Sequence, residues 1–356
     1  MSSLIRVLVV DDSAFMRKVI SEMLDTDSIE VIATARNGED ALKKLEEYEP
    51  DLITLDVEMP KMDGLEFLRK IMPERSLPVI MLSTLTNEND TTTIEALELG
   101  AVDFIPKPSG SISLDIDKVE EKLIEKVKVA AECNIENCNT KKTNLTDTNQ
   151  STTFSREDRR LNRESKNDDE VVIIGASTGG PKALKEVMTK ISSDFSIGIL
   201  VVQHMPPNFT ASLAQRLDRL SQIKVKEAEE GDMIKPGQAL LAPGDYNMLV
   251  TKGGKITLSQ NKKLHNVRPA IDLTMESAVK YYGSQTLGVV LTGMGKDGTR
   301  GLKAIKSAGG YTIAQDEKTS VVYGMPRSAY EAGVVNSVKP LPQISDEIVR
   351  LSKKLK

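Results

Sequence analysis

Residues 171–181 are Val-Val-Ile-Ile-Gly-Ala-Ser-Thr-Gly-Gly-Pro, a short apolar run that leads into a glycine-rich turn. An apolar run bounded by turn residues is typical of a strand that is buried on both faces of a sheet. Proline favours the first turn of a helix, so we expect a helix to begin at Pro181. The stretch therefore predicts the strand, turn and helix that repeat in a parallel α/β sheet.

The rest of the C-terminal half continues this alternation. The predicted strands are Val171–Ile174, Ile197–Gln203, Thr286–Leu291 and Tyr311–Ala314, and the predicted helices are Pro181–Ile191, Phe209–Leu220, Ile271–Tyr282 and Thr299–Ala308. Gly253 and Gly254 divide the segment Met248–Leu258 into a predicted β-hairpin. This pattern predicts a doubly wound, Rossmann-like parallel sheet with a β-hairpin insertion.

The N-terminal half shows a similar alternation over about 125 residues. The predicted strands are Arg6–Val10, Glu30–Ala35, Leu52–Leu55, Val79–Leu82 and Val102–Ile105. The predicted helices are Ser13–Leu24, Gly38–Tyr48, Leu65–Ile71, Thr91–Leu99 and Ile116–Ala131. Five strands with intervening helices predict a second doubly wound parallel sheet, of the flavodoxin-like kind. The chain as a whole is therefore expected to be an α/β protein.

The length of 356 residues suggests two domains and a linker. Between Glu132 and Asp169, 16 of 38 residues are Asn, Ser or Thr and 15 are charged, so this segment buries too little apolar surface to order itself. We expect one domain over residues 1–125, a flexible linker over residues 126–169 and a second domain over residues 170–356.

The charge and apolar content exclude several classes of protein. The net charge is −5, which leaves no basic excess to neutralise nucleic-acid phosphates. No apolar run approaches the roughly 20 residues of a spanning helix, and the first residues lack the pattern of a secretory signal. Cys133 and Cys138 are then expected to be free thiols. We expect a cytoplasmic protein without a nucleic-acid partner and without membrane insertion.

Three carboxylates are expected to meet at one edge of the N-terminal sheet. Asp11 and Asp12 follow the first predicted strand, Asp56 follows the third, and Ser83 and Lys107 follow the fourth and fifth. Two carboxylates about 4 Å apart repel by roughly 4 kcal/mol at an effective dielectric near 20, so the cluster favours a cation. Hard oxygen ligands suit Mg²⁺, beside which Asp56 could accept a phosphoryl group as a nucleophile. A single Asp could instead be a helix cap, but capping explains five such positions poorly.

The same segments resemble the receiver domains of two-component systems. The resemblance is carried by Val7–Asp12, Leu52–Pro60 with Asp63-Gly64, Met81–Thr84 and Asp103–Pro108. It implies that Asp56 is the phosphoacceptor and that Mg²⁺ is held by Asp11, Asp12, Asp56 and the backbone carbonyl of Glu58. It also implies that the positions responding to phosphorylation are Ser83, Phe104 and Lys107.

The turn at Ser177 has three possible interpretations. As a structural turn, it would place Ser177 at the N-cap of the following helix. As a nucleotide-binding loop it is weak, because a glycine is missing at position 177 and no P-loop lysine is present. As a nucleophile turn it fits the pattern Gly-x-Ser-x-Gly, in which small neighbours let a substrate approach the serine.

A nucleophilic serine needs a base and a carboxylate that orients the base. The chain has two histidines. His204 ends the predicted strand after Ser177, whereas His265 lies in a predicted loop, where we assign it no role. Asp297 follows the strand Thr286–Leu291 and should reach the same sheet edge, although it could instead cap the helix after it. The oxyanion donors would be backbone N–H groups of Thr178 or Met294.

The C-terminal half resembles the chemotaxis protein-glutamate methylesterases, and the order of receiver and hydrolase also matches that family. The segments are Ile174–Pro181, Val201–Ala211, Leu240–Asn247, Val267–Asp272, Leu291–Gly301, Ala314–Asp316 and Gly324–Pro326. The resemblance implies a triad of Ser177, His204 and Asp297, with no cofactor in the hydrolase site. It implies demethylation of glutamate methyl esters and deamidation of glutamines on methyl-accepting chemotaxis receptors. It implies a chemotaxis histidine kinase as the phosphodonor.

Other activities remain open at this point. A receiver also precedes DNA-binding domains in transcription regulators, but the C-terminal half predicts an α/β sheet rather than a basic recognition helix. A serine triad also serves amidases and peptidases. For a methylesterase, we expect phosphorylation of Asp56 to shift the population toward an active form.

Overall fold

The computed structural model describes residues 4–75, 77–84, 87–107, 116–133, 170–261 and 263–355. The chain forms two compact units, Met1–Thr143 and Asn144–Lys356. Most of the predicted linker, with Cys138, lies outside the described residues. Cys133 is described, and its thiol donates to the Val129 carbonyl at 3.3 Å.

The first unit is a five-stranded parallel sheet with the strand order β2-β1-β3-β4-β5. Its strands are β1 (Ile5–Val10), β2 (Ile29–Ala35), β3 (Leu52–Asp56), β4 (Val79–Ser83) and β5 (Asp103–Pro106). Its helices are α1 (Ala14–Leu24), α2 (Gly38–Glu47), α3 (Gly64–Ile71), α4 (Asn87–Leu99) and α5 (Ile116–Ala131). The flavodoxin-like prediction is confirmed, with bounds that differ by a few residues.

Local capping explains where the helices of the first unit begin. The side chains of Ser13 and Asn37 accept hydrogen bonds from the first turns of α1 and α2. Asp63 and Glu66 form a reciprocal capping box at the start of α3. At the other end of the unit, α5 continues past the expected boundary at residue 125, because Val127 and Ala130 are fully buried.

The second unit is a seven-stranded parallel sheet with the strand order β14-β13-β12-β6-β7-β9-β8. Its strands are β6 (Val171–Ala176), β7 (Gly198–Gln203), β8 (Lys224–Glu227), β9 (Gln238–Leu241), β12 (Thr286–Val290), β13 (Tyr311–Gln315) and β14 (Ser337–Lys339). A separate antiparallel hairpin joins β10 (Asn247–Thr251) to β11 (Lys255–Ser259). The helices are α6 (Gly180–Met188), α7 (Phe209–Leu220), α8 (Ile271–Tyr282), α9 (Thr299–Ser307), α10 (Met325–Glu331) and α11 (Leu341–Ser352).

The Rossmann-like sheet and its hairpin insertion are thus confirmed, and the hairpin turns at Gly253 and Gly254 with positive φ at both. The prediction missed β8, β9, β14, α10 and α11. The three missed strands have four, four and three residues, which is too short for an alternating pattern to stand out.

The strand order of the second unit decides where its functional side chains lie. Strand β6 is central and pairs in parallel with β7 on one side and β12 on the other. The carboxyl ends of these three strands therefore meet at one edge, which is where doubly wound sheets place their sites. Among the residues that the structure describes, no helix is long and apolar enough to cross a membrane.

Candidate functional site

The turn after β6 holds Ser177 by its backbone. The Ser177 N–H donates to the carbonyl of Thr292 at 3.0 Å, and the Ser177 carbonyl accepts from Gly180 N–H at 2.7 Å and from Gln203 Nε2 at 2.9 Å. Gly179, with φ 75°, is the N-cap of α6, and no side chain caps that helix. Ser177 is therefore not a helix cap, and the structural-turn interpretation is wrong. Its side chain is half-buried.

Glycines allow three loops to converge on this turn. A Cβ atom at Gly293 would stand 2.7 Å from the Ser177 Cβ, and a Cβ atom at Gly180 would stand 1.9 Å from the Gln203 Oε1. A larger residue at position 293 would therefore push its loop away from Ser177, whereas one at position 180 would displace the Gln203 amide. The Gly293 N–H also donates to the carbonyl of Val322, which fixes the loop after β12.

His204 directly follows the residue that pairs with Ala176 in the sheet. Its N–H donates to the Ala176 carbonyl at 3.1 Å, which places His204 and Ser177 at adjacent strand ends. The His204 Nε2 lies 2.9 Å from Asp297 Oδ2, and the His204 side chain is only 11% exposed. Because Nε2 faces the carboxylate, Nδ1 is the ring nitrogen turned away from Asp297.

Asp297 is held by the N-terminus of α8. Its carboxylate accepts from the backbone N–H groups of Ile271 at 2.8 Å, Asp272 at 2.9 Å and Gly298 at 3.0 Å. The N-cap of α8 is Ala270, which has no capping side chain, so Asp297 takes that role from another part of the chain. The alternative that Asp297 caps the following helix is wrong. The N-cap of α9 is Gly298, and no side chain caps that helix.

These donors also set the charge of Asp297. Burial raises the pKa of the Asp297 carboxyl, but the hydrogen bond and charge of His204 and the two N–H groups of α8 outweigh burial. The pKa therefore lies below its ordinary value, and Asp297 is an anion at neutral pH. A fixed anion beside Nε2 keeps the other ring nitrogen available as a base.

The second histidine lies in an exposed loop, as expected, but it contacts a buried carboxylate that the sequence analysis did not foresee. His265 Nε2 lies 3.1 Å from Asp272 Oδ2, and Asp272 is fully buried in the first turn of α8. Sequence reasoning missed this pair because only the fold brings the loop of His265 to the start of α8. The feature of the sequence that could have indicated the pair is the short separation of His265 from Asp272.

The expected oxyanion donors, Thr178 and Met294, belong to the two loops that meet at Ser177. Thr178 follows Ser177 and is buried, and its carbonyl accepts from the Thr292 hydroxyl at 3.0 Å. Met294 follows Gly293, whose backbone approaches Ser177, and it is half-buried. Their role as donors stays a prediction.

The acidic cluster of the first unit forms at the carboxyl ends of β1 and β3. Carboxylate oxygens of Asp11, Asp12 and Asp56 lie within 4.8 Å of one another. The Lys107 Nζ lies 2.7 Å from both Asp11 Oδ2 and Asp56 Oδ2. Burial raises the pKa of Asp56 to about 6; contact with Lys107 opposes this, and the charges of Asp11 and Asp12 add to it.

This donor set fits Mg²⁺. One ammonium group faces three carboxylates, so the cluster carries excess negative charge, and carboxylate oxygens are the ligands that Mg²⁺ prefers. Asp12 is exposed, which leaves the cluster open to solvent on that side. The Glu58 side chain is also exposed, and the role of its backbone carbonyl stays a prediction.

The expected switch positions are buried next to this cluster. The Ser83 Oγ accepts from the Thr93 hydroxyl of α4 at 2.9 Å, and the Ser83 carbonyl accepts from the Lys107 N–H at 2.8 Å. Phe104 is buried, and the Lys126 Nζ lies 5.5 Å from its ring centroid. Their response to phosphorylation stays a prediction.

Comparisons with known proteins match both units. The family model described as CheB methylesterase matches residues 172–348, and the model described as response regulator receiver domain matches residues 7–116. A protein of Symbiobacterium thermophilum named protein-glutamate methylesterase/protein-glutamine glutaminase is 48% identical, over 97% of this chain and 96% of its own. A protein of the same name from Thermotoga maritima is 44% identical, over 98% of each chain.

The solved structures add a match to the second unit. The crystal structure of the Thermotoga maritima CheB methylesterase catalytic domain is 46% identical. The match covers 51% of this chain and 98% of that one, with a TM-score of 0.50.

Proposed function

The chain belongs to the family of protein-glutamate methylesterases/protein-glutamine glutaminases, and on that premise we propose that Ser177, His204 and Asp297 are its catalytic triad. The enzyme hydrolyses glutamate methyl esters and deamidates glutamine side chains, and a receiver domain regulates it. The alternatives of a DNA-binding regulator and of a general amidase or peptidase are not favoured.

The proposed chemistry follows from the residue types at these three positions. Ser177 Oγ attacks the ester carbonyl while the His204 Nδ1 takes its proton. The negative charge moves to the carbonyl oxygen, where a backbone N–H of Thr178 or Met294 is worth roughly 3–4 kcal/mol in the transition state. His204 then gives its proton to the leaving methoxide, which departs as methanol. Water then attacks the acyl-enzyme while His204 takes its proton. The Ser177 oxygen leaves and receives that proton from His204, which gives glutamate and the free enzyme.

One observation carries this proposal. His204 and the buried anion Asp297 form a 2.9 Å hydrogen bond at the strand end next to Ser177. A serine, an imidazole and a buried carboxylate on three neighbouring strand ends have one well-established chemical use, which is acyl transfer. For glutamine substrates the leaving group is ammonia instead of methanol.

For the receiver unit, we propose Asp56 as the phosphoacceptor. Receiver domains generally bind Mg²⁺, and here Asp11, Asp12, Asp56 and the Glu58 carbonyl would hold the ion, which offsets the charge of an incoming phosphoryl group. Lys107 already contacts Asp56 and would follow the charge onto the phosphoryl oxygens. Ser83 and Phe104 would then change their packing.

The family of the chain indicates its partners, and helix α5 indicates where the linker begins. The receiver implies a phosphodonor kinase, and the methylesterase implies chemoreceptor substrates. We propose a chemotaxis histidine kinase, methyl-accepting receptors and a cytoplasmic location. Because α5 runs to Ala131, we propose that the linker begins after that residue rather than at residue 126.

Methanol release from methylated receptor tests the activity directly. Ser177→Ala should lower kcat by at least about a thousandfold, because a triad without its nucleophile retains only binding and oxyanion contributions. Ser307→Ala, an exposed serine of α9, is the matched control and should keep wild-type activity. Methanol release by Ser177→Ala near the wild-type rate would disprove the proposed nucleophile.

The regulatory part has its own test. A small-molecule phosphodonor should raise methanol release by the wild type and leave Asp56→Ala unchanged. Equal stimulation of both proteins would show that control does not pass through Asp56.

A further inference from the structure

Both histidines of the chain form the same kind of pair. His204 Nε2 contacts Asp297 at 2.9 Å and His265 Nε2 contacts Asp272 at 3.1 Å. Both aspartates are buried, Asp272 completely and Asp297 to within 2%. Only the first of these pairs is used in the proposed mechanism.

The two pairs are joined at the start of α8. The backbone N–H of Asp272 donates to the Asp297 Oδ1 at 2.9 Å, so the residue that pairs with His265 also holds the carboxylate that pairs with His204. Ligand atoms of His265, Asp272 and Asp297 all lie within 4.8 Å of one another. Two carboxylates this close repel by roughly 4 kcal/mol at an effective dielectric near 20, unless another group offsets their charge.

His265 is the basic group in contact with the second carboxylate. The pKa of Asp272 lies above its ordinary value, because burial and the charge of Asp297 raise it by more than the Gly301 N–H at 2.8 Å and the contact with His265 lower it. Arg300 on α9 also acts on this charge, but at longer range, because its guanidinium is paired with Glu276 at 2.7 Å. The charged or titratable groups that face Asp272 are therefore His265, Asp297, Arg300 with its partner Glu276, and His204 beyond Asp297.

The backbone around His265 is shaped to present it. His265 and Asn266 have φ of 53° and 60°, and the Val267 N–H donates to the Leu264 carbonyl at 3.0 Å. Two successive positive φ angles inside such a turn are typical of type I′, which non-glycine residues adopt at some cost. A loop that only crossed the surface would not need this conformation.

A metal ion is a poorer explanation of the same cluster. Each Asp297 oxygen already accepts two hydrogen bonds, Oδ1 from Asp272 and Gly298 and Oδ2 from Ile271 and His204. The geometry therefore favours a hydrogen-bonded chain over metal ligation.

We infer that His265 is a positioning residue of the hydrolase site. It binds and offsets Asp272, so that this second carboxylate does not disturb the charge and hydrogen bonds of Asp297 and His204. The inference rests on the proposed roles of His204 and Asp297. On this inference, His265 affects the pH range in which His204 acts as a base, and His265 itself does not contact the substrate.

The test is the pH profile of kcat/KM for methanol release by three variants of the full chain. His265→Asn suits the positive φ and removes the imidazole that contacts Asp272, so the Asp272 carboxylate should favour protonated His204 and move the acid limb to higher pH by about half a unit or more. Activity near pH 7 should fall about three- to tenfold. Asp272→Asn should move the acid limb the other way, and the double variant should return close to the wild-type profile.

The outcomes separate this inference from the proposed triad. If His265→Asn and Asp272→Asn lower kcat or the melting temperature without moving the acid limb, the pair only anchors a loop and the inference is wrong. If His265→Asn does not fold, the shift expected for Asp272→Asn alone decides the question. His204→Asn is assayed in parallel: activity near wild type would overturn the triad and the inference together, whereas an inactive His204→Asn with an unmoved His265→Asn profile overturns the inference alone.

Discussion

Asp56 and Asp297 occupy equivalent places in the two units and have opposite electrostatics. Each is buried at the carboxyl end of a parallel sheet, and each contacts one basic side chain at 2.7–2.9 Å. Burial raises the pKa of Asp56 to about 6, with added repulsion from two carboxylates. The pKa of Asp297 is lowered, because His204 and helix N–H groups outweigh the effect of burial.

The difference shows that neighbours, rather than depth of burial, decide what an aspartate can do. A carboxylate among other carboxylates holds its negative charge at a cost, and a cation or an incoming phosphoryl group relieves that cost. A carboxylate that accepts three backbone N–H groups is a permanent anion that does not exchange partners. The first suits a reversible regulatory site, and the second suits the fixed member of a triad.

The strongest test of this comparison is Asp297→Asn. The amide keeps the shape, but its NH₂ group cannot accept from His204 or from α8, so the imidazole loses its orientation. We expect kcat to fall by about a thousand- to ten-thousandfold in the methanol assay. Glu276→Gln, which changes a surface carboxylate of α8, should keep most of the activity. A loss of less than tenfold in Asp297→Asn would remove the distinction between the two aspartates.

The second test is the pH dependence of stability at Asp56. A pKa raised from 3.8 to about 6 makes the ionised carboxyl destabilising, a cost absent below about pH 4 and complete above about pH 6. Without Mg²⁺, Asp56→Asn should therefore raise the free energy of unfolding by up to roughly 3 kcal/mol at pH 7.5 and change it little at pH 4.

Calorimetry of the full chain measures this effect on the thermal transition of the first unit. Added Mg²⁺ should stabilise the wild type more than Asp56→Asn, because the variant lacks one ligand charge. An Asp56→Asn variant that is less stable than wild type at pH 7.5 would contradict the assignment of Asp56 as a strained anion.

The third test concerns how the catalytic elements are aligned. The Gln203 amide donates to the carbonyls of Ser177 at 2.9 Å and His204 at 3.3 Å, and so joins the nucleophile to the base. Gln203→Leu should lower kcat about tenfold with little change in KM, since it loosens the alignment rather than substrate binding. Gln343→Leu, at an exposed position of α11, is the control. A change in KM alone would show that Gln203 serves the substrate instead.

The smallest effect is expected at the surface ion pair near the triad. Arg300 and Glu276 are 52% and 29% exposed, and a double-mutant cycle on such a pair should give less than about 1 kcal/mol of coupling. Urea unfolding of Arg300→Ala, Glu276→Ala and the double variant measures it. A larger coupling would mean that solvent screens this pair less than its exposure implies.

The sequence was sufficient to predict both sheets and the adjacent strand ends that carry Ser177 and His204, while the triad itself stays a prediction. Neighbouring parallel strands bring their carboxyl ends together, and the glycine turns marked the ends. It was not sufficient for contacts made by helix termini. That Asp297 caps α8 rather than α9 depends on how the helices pack, and the pairing of His265 with Asp272 depends on a turn with positive φ. Neither leaves a periodic signal in the chain.

The capping of α8 by Asp297 has a consequence for misfolded molecules. The helix brings no cap of its own, so docking α8 and assembling the triad are one event. When α8 is displaced, the Asp297 carboxylate loses its backbone donors from that helix, and the His204 imidazole is no longer held in place. We therefore expect a molecule with a displaced α8 to have lost its hydrolase activity.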